Sequence, residues 1–477
     1  MKYLAPILIL ILISFSRINA QQNHLMYFSY ELPQANFLNP AYQAPCKWWI
    51  GIPVLSSVYI NYANSLFSFN SLFPEGTGNM RNLDLGGQID KLNRNNFIGL
   101  ETHLTLFGLG YKRNNWYYNF TITEKAEIDA FLSRNYVDLV WNGNAGSIGK
   151  TIKLKNTGLY LNHYREFAFG VSKTVNENLL VGAKAKLLFG KLNVSTTHTR
   201  ASLYTSEHEY YLNLNYNIEA NTSLPVNINP DDITDITYNE ASPASILLNR
   251  KNPGIAFDAG VLYKYNEKIN LTASILDVGF IRWRSNLNTI GSNDNIEFRG
   301  LTESEYTLTD ANFIIDTLDF EITPDKYFKL LPFKLNAGLQ YKLHPLLNAN
   351  FLITSKYFRE KIINTASVML DSKPLNWLYV TTGYTIQYGA YNNVGLGFIL
   401  GNYPVQFYAF TDNLTGIIWT QTTRNINLRF GINVNLGCRT KKDKSIDDAF
   451  NGSQVPCPDL DKKQNAFKQK IEKKRTR

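Results

Sequence analysis

A strict alternation of apolar and polar residues, kept up for about ten positions and repeated along the chain, limits this fold more than any other feature. From Phe333 to Leu343 every odd position is apolar or aromatic and every even one is polar or Gly. Ile426, Leu428, Phe430, Ile432, Val434 and Leu436 alternate with Asn425, Asn427, Arg429, Gly431, Asn433 and Asn435. Ile255, Phe257, Ala259, Val261, Tyr263 and Tyr265 share one face, opposite Asp258, Gly260 and Lys264. Leu179 to Phe189 repeats the pattern opposite Lys184 and Lys186. Successive side chains of a strand point to opposite faces, so each segment has one greasy and one hydrated face.

A soluble sandwich and a membrane barrel both use such strands. Strands of about ten residues exceed the roughly five or six usual in soluble proteins. Tyr, Trp and Phe gather at segment ends (Trp48-Trp49, Trp116-Tyr117-Tyr118, Trp377 with Tyr379, Tyr403, Trp419), as aromatic girdles do at a lipid boundary. The hydrated faces carry Lys, Arg and Asn, which a dry core between two sheets excludes. The pattern therefore predicts an all-β, transmembrane antiparallel β-barrel of about 14 strands, within a range of about 12 to 16.

The N-terminus predicts export. Lys2 precedes an apolar run centred on Ile7–Ile13, then polar residues and Ala20, which has the layout of a secretory signal peptide over 1–20. The mature chain then begins at Gln21, with a lead-in or plug over 21–47, the barrel over 48–437 and a basic tail over 438–477. Of the net charge of +9, two units sit in Lys2 and Arg17. The tail from Cys438 has 12 Lys and Arg against 6 Asp and Glu, so the long middle is close to neutral. The basicity belongs to the tail, and nucleic acid is not implied as a partner. The expected address is the outer membrane of a Gram-negative cell, with the tail in the periplasm.

A hairpin unit recurs at Phe169–Leu179, Ala259–Ile269 and Ala337–Leu347: strand, tight polar turn, returning strand. Tight turns belong to the periplasmic end of such barrels, which makes the polar stretches near 63–95, 126–150, 222–252 and 284–331 surface loops. Within 127–141, Ile128, Phe131, Leu132, Tyr136, Leu139 and Val140 have helical spacing and predict a short external helix.

Two motifs carry a resemblance. Asn39-Pro40-Ala41, just after the leader, is similar to a segment of fatty-acid-transporter-like barrels and of PorP/SprF-type barrels of Bacteroidetes. Leu276-Asp277-Val278-Gly279 resembles a strand-end motif common among them. The opening Leu32-Pro33-Gln34, Asn39-Pro40-Ala41, Pro45-Cys46 and Gly51-Ile52-Pro53-Val54-Leu55-Ser56 most resembles a Bacteroidetes family of outer-membrane proteins, over nearly the whole mature chain. The resemblance implies a 14-stranded barrel with an N-terminal segment in the lumen; it implies no reaction.

No catalytic or cofactor signature emerges. The six histidines show no HExxH and no paired helical spacing; His208, between Glu207 and Glu209, reads as a polar strand or loop group. Asn227–Asp232 lacks the closing Glu of a calcium loop. Neither GxSxG nor a phosphate loop occurs. No enzyme activity, cofactor or metal is expected. Asn39-Pro40 is either a plain turn or the hinge of a plug. Cys46 and Cys438 flank the first and last strands, which adjoin in a closed barrel, so a seam disulfide is one pairing; Cys438–Cys457 and free thiols are the others. The expected partners are outer-membrane lipid and other envelope proteins, with a hydrophobic small-molecule ligand in one of two functional classes. The first is a scaffold subunit of a secretion or surface-protein assembly machine. The second is a gated transporter of the fatty-acid-transporter-like type.

Overall fold

Each alternating stretch becomes a strand, because only hydrogen bonding to a neighbour satisfies a backbone whose side chains face lipid on one side. The computed structural model describes residues 24–74, 82–208, 211–229, 232–238, 242–299, 320–358, 361–386, 393–401 and 403–438. The expected leader, the tail beyond Cys438 and Cys457 lie outside them.

In chain order the strands are β1 (Cys46–Gly51), β2 (Val58–Asn64), β3 (Asn95–Arg113), β4 (Trp116–Ser133), β5 (Thr151–Lys155), β6 (Gly158–Asn176) and β7 (Leu179–Thr205). Then come β8 (Leu212–Ser223), β9 (Val226–Asn229), β10 (Asp232–Tyr238), β11 (Asn252–Lys264), β12 (Ile269–Trp283), β13 (Leu287–Phe298), β14 (Glu321–Thr323) and β15 (Tyr327–Leu330). The last are β16 (Phe333–His344), β17 (Leu347–Phe358), β18 (Lys361–Leu375), β19 (Leu378–Ile386), β20 (Val394–Leu400), β21 (Val405–Thr411) and β22 (Asn425–Cys438).

Fourteen staves close an antiparallel barrel. β1 and β2 form one interrupted stave between β3 and β22. The ring then runs β3, β4, β6, β7, β11, β12, β16, β17, β18, β19, β20, β21 and back to β22. Closure leaves no unpaired edge to face lipid. The three predicted hairpin turns, at β6–β7, β11–β12 and β16–β17, all lie at one end of the barrel, together with those of β3–β4, β18–β19 and β20–β21. No helix among the described residues is long and apolar enough to cross a membrane.

The opposite end is uneven. β7 has 27 residues, whereas β20 and β21 have 7 each. The lower part of β7 pairs with β11 and its upper part with β8, which pairs in turn with β13. The stretches read as loops at 222–252 and 284–331 thus contain β9, β10, β13, β14 and β15. The helix expected within 127–141 starts later, at Arg134, and ends at Asn142. Residues 127–133 stay in β4, where Glu127 pairs with both Glu101 and Asn162; two-sided strand pairing outweighs the helical spacing. His208 lies in a bend after β7.

Period two also corrects the girdle. Trp48 is 37% exposed and faces out, while Trp49 is 1% exposed and turns into the lumen. Trp116 and Tyr117 divide in the same way. Neighbouring residues on a strand cannot both face lipid.

Candidate functional site

Residues 24–44 run inside the barrel near its tight-turn end. Pro33–Phe37 forms one turn of 3-10 helix, with Pro in its first turn, where a missing N–H costs nothing. The segment is dense in aromatics, which lock edge to face: Tyr30 against Tyr42 at 4.8 Å and Tyr27 against Phe28 at 5.0 Å. Leu25, Met26, Tyr27, Phe28, Leu32 and Tyr42 then pack on an inward wall of Leu180, Leu262, Leu352, Met369, Tyr408 and Phe410. These wall positions contradict the rule that the hydrated face lines the lumen. Their signal in the sequence is broken alternation, with apolar residues on both faces, as at Phe351-Leu352-Ile353 and Phe407-Tyr408-Ala409-Phe410.

Asn39, Pro40 and Ala41 lie against the wall where two glycines make room. The Asn39 carboxamide oxygen accepts from the Ala41 N–H at 3.0 Å, closing an Asx turn. Its nitrogen donates to the carbonyls of Val261 (3.2 Å) and Ala273 (3.3 Å), which face each other in β11 and β12. Gly182 and Gly260 are register partners on β7 and β11. A Cβ on Gly182 would collide with the Pro40 carbonyl, and one on Gly260 with the Asn39 side chain. Further tethers are Lys184 Nζ to the Asn36 carbonyl (2.8 Å) and Ser274 Oγ to the Leu38 carbonyl (2.7 Å).

Leu276, Asp277 and Gly279 do not end a strand, as the motif suggested; they lie inside β12 at a bulge. The register slips between Phe257 and Ala259, and Asp277 takes a positive φ of 60°. Its N–H donates to Asp258 Oδ1 at 2.7 Å. The extra residue rephases the strand, so that Ile281 and Trp283 turn inward after Ser274 and Leu276 have done so. It also sets Asp277 at the hub of an ionic lattice just above the plug. Lys186 Nζ lies 2.7 Å from Asp277, 2.7 Å from Asp258 and 3.6 Å from Glu166. Lys125 joins Glu166 at 2.8 Å and Asp277 at 3.4 Å. Lys356–Glu127 (2.6 Å) and Lys334–Glu101 (3.7 Å) extend it around the wall. Of these residues only Asp277 stood among the sequence candidates.

The seam is the third element. Between β1 and β2 the stave breaks at residues 52–57, where Val54 has a φ of 67°, rare for a β-branched residue. The Ser56 carbonyl turns inward and accepts from Gln34 Nε2 (3.0 Å) and the Tyr408 hydroxyl (2.8 Å), tying plug, break and wall together. Cys46 begins β1 and Cys438 ends β22, so strand pairing extends to both cysteines, one or two residues further than the sequence suggested. They are register partners with Cα atoms 4.0 Å apart, and their sulfurs are bonded. Peptide mapping under non-reducing conditions is expected to yield a Cys46–Cys438 cross-linked pair; a Cys438–Cys457 fragment or free Cys46 would contradict it.

The arrangement can hold an apolar guest, gate a path and order charges. Two histidines bear on it: His24 lies buried at the start of the plug, where its backbone N–H donates to Asp412 Oδ2 at 3.2 Å, and His103 Nε2 lies 3.1 Å from Glu101. Among the described residues no three His, Cys, Asp or Glu side chains group as metal ligands.

No curated protein matches the chain. Among solved structures it is similar to the toluene transporter TbuX of Ralstonia pickettii, with 9% identity, a TM-score of 0.40, and 84% of this chain and 93% of that one covered. A FadL homologue of Pseudomonas aeruginosa gives 11% identity and a TM-score of 0.38, over 89% and 100%. The Pseudomonas putida toluene transporter TodX gives 9% and 0.38, over 88% and 98%. Residues 40–412 match the model of a family of unknown function, DUF5723. That match spans most of the sequence, and the chain belongs to this family.

Proposed function

We propose that the protein is an outer-membrane barrel, tight turns toward the periplasm, that passes a hydrophobic small molecule, with residues 24–44 as its gate. The observation that carries this reading is the apolar patch on the inward wall, covered by plug side chains. An aqueous pore has no use for inward Leu180, Leu262, Leu352, Ile399 and Phe410. Uncovering one such side chain to water costs about 1.5–3 kcal/mol. A hydrophobic guest that takes the place of Leu25 or Phe28 restores that burial, so the gate opens at low cost to an apolar ligand and stays shut to ions and sugars.

A second reading is a scaffold within a secretion or surface-protein assembly machine, with protein partners on the loops and on the basic tail. It is favoured by the one-sided extension of β7, β8 and β13 beyond the wall, which crossing a membrane does not require. Purification of the full chain from its native membrane in mild detergent separates the two. Transport predicts a co-purifying lipid-like molecule in organic extracts and none of the stoichiometric protein partners that a scaffold would bring. A ligand-free protein in a stable complex would overturn the transport reading.

A further inference from the structure

The outward face of the barrel should be apolar, and over most of its height it is. On β4 the outward positions run Tyr118, Phe120, Ile122; on β6 they run Val171, Phe169, Phe167. Then the chemistry changes. Arg165 and Glu124, register partners, pair at 2.6 Å, and His163 Nε2 lies 2.8 Å from the same carboxylate. On the next stave Lys191 is buried beneath the Asn249 carbonyl, to which it donates. Beside it Arg250 and Lys251 are exposed, and Arg284 Nε donates to the Lys251 carbonyl at 2.8 Å. Arg282, also exposed, lies over the outward Phe328 ring at 5.3 Å.

The cations therefore form a belt from β6 across β7 and the entry to β11 to the end of β12, and among the described residues one carboxylate, Glu124 of β4, pairs with it. Its height is set by the strands. Arg165 lies just beyond the roughly ten residues that cross the apolar layer from the turn at Asn176, and Arg282 similarly from Ile269. Aromatic and aliphatic side chains lie directly below, where acyl chains run. A cationic belt with an apolar skirt matches a lipid that carries phosphate on its headgroup: the planar guanidinium forks bind phosphate in bidentate fashion while the rings contact the chains.

We propose that this belt binds the phosphate-bearing headgroups of outer-leaflet lipid. The proposal rests on the membrane placement given above, but not on transport. The test uses the full chain in phosphatidylcholine vesicles containing a minor fraction of spin-labelled phosphatidic acid. The readout is the association of that probe relative to spin-labelled phosphatidylcholine at physiological ionic strength. The wild type is expected to prefer the phosphate lipid by roughly five- to tenfold. The variant Arg250→Ser, Lys251→Ser, Arg282→Gln, Arg284→Gln should fall close to parity, while Arg282→Lys with Arg284→Lys, which keeps the charge and loses the fork, should keep only part of the preference. Wild-type parity, or an undiminished preference in the folded fourfold variant, overturns the proposal. So does displacement of the labelled lipid by equimolar inorganic phosphate, which would mark a site for a soluble anion. Binding of an apolar probe in the lumen should be unaltered in the fourfold variant, so the transport reading stands or falls separately.

Discussion

Valine at position 182, or at its register partner 260, is expected to drive residues 24–44 from their seat while leaving the wall intact. Valine suits a strand, so the barrel itself loses nothing by the change. The conflict is with the plug. A Cβ on Gly182 would lie 2.7 Å from the Ala41 nitrogen and closer still to the Pro40 carbonyl, and both are backbone atoms that cannot rotate away. On Gly260 it would meet Pro40 Cδ at 2.9 Å as well as the Asn39 carboxamide. Overpacking of this kind costs about 1–3 kcal/mol per site, which becomes roughly a ten- to hundredfold faster amide exchange if the plug alone yields. Hydrogen-exchange mass spectrometry of the 24–44 peptides in detergent checks this. Gly291→Val, where a Cβ has nothing within 4 Å, is the control and should change nothing. Unchanged exchange in Gly182→Val would show that the Asn39-Pro40-Ala41 segment is a passive turn and not the seat of the plug. The same variants should bind an apolar probe more readily if the plug covers its site.

How much of this was legible in the sequence depends on how far apart the interacting residues stand. The wall was legible because its rule is local: Ile426 to Leu436 announce their outward face within one segment, and the hairpin turns at Asn176 and His344 follow directly. The doublets Trp48-Trp49 and Trp116-Tyr117 have the clustering of girdles, but the same period-two rule divides each pair between lipid and lumen. The dry inner patch was half legible, since Phe351-Leu352-Ile353 visibly breaks alternation, but only the folded barrel shows that the plug fills the space. The lattice was not legible. Lys186 and Asp277 are 91 positions apart, Lys125 and Asp277 are 152 apart, and their meeting depends on a bulge that no composition signals. Likewise Glu124 and Arg165 break the greasy face of their strands, a departure that makes sense only once the height of each stave is known.

That lattice gives the largest stability effect expected in the molecule. Lys186→Met removes the cation that lies 2.7 Å from each of Asp258 and Asp277, and both carboxylates stay behind in the wall. Lys125 reaches Asp277 and Glu166 but has no contact of this kind with Asp258. Breaking one partner out of a buried ionic group costs about 3–5 kcal/mol, because the remaining charge keeps its desolvation penalty without its attraction. The side chains are nearly inaccessible, 5% for Lys186 and 1% for Asp258, so solvent screening relieves little of this. The penalty comes from imbalance and not from the loss of a bond. Lys186→Met combined with Asp258→Asn should therefore recover much of the stability, with a coupling of about 1–3 kcal/mol between the two sites. Unfolding followed by heat-modifiable gel mobility in urea gives all four corners of the cycle. A single-mutant cost below about 1 kcal/mol would mean that water reaches the carboxylates and the lattice is a solvated surface. A double mutant no better than Lys186→Met would mean that the lysine acts through packing of its methylenes, and charge balance would no longer explain why Asp277 occupies the bulge.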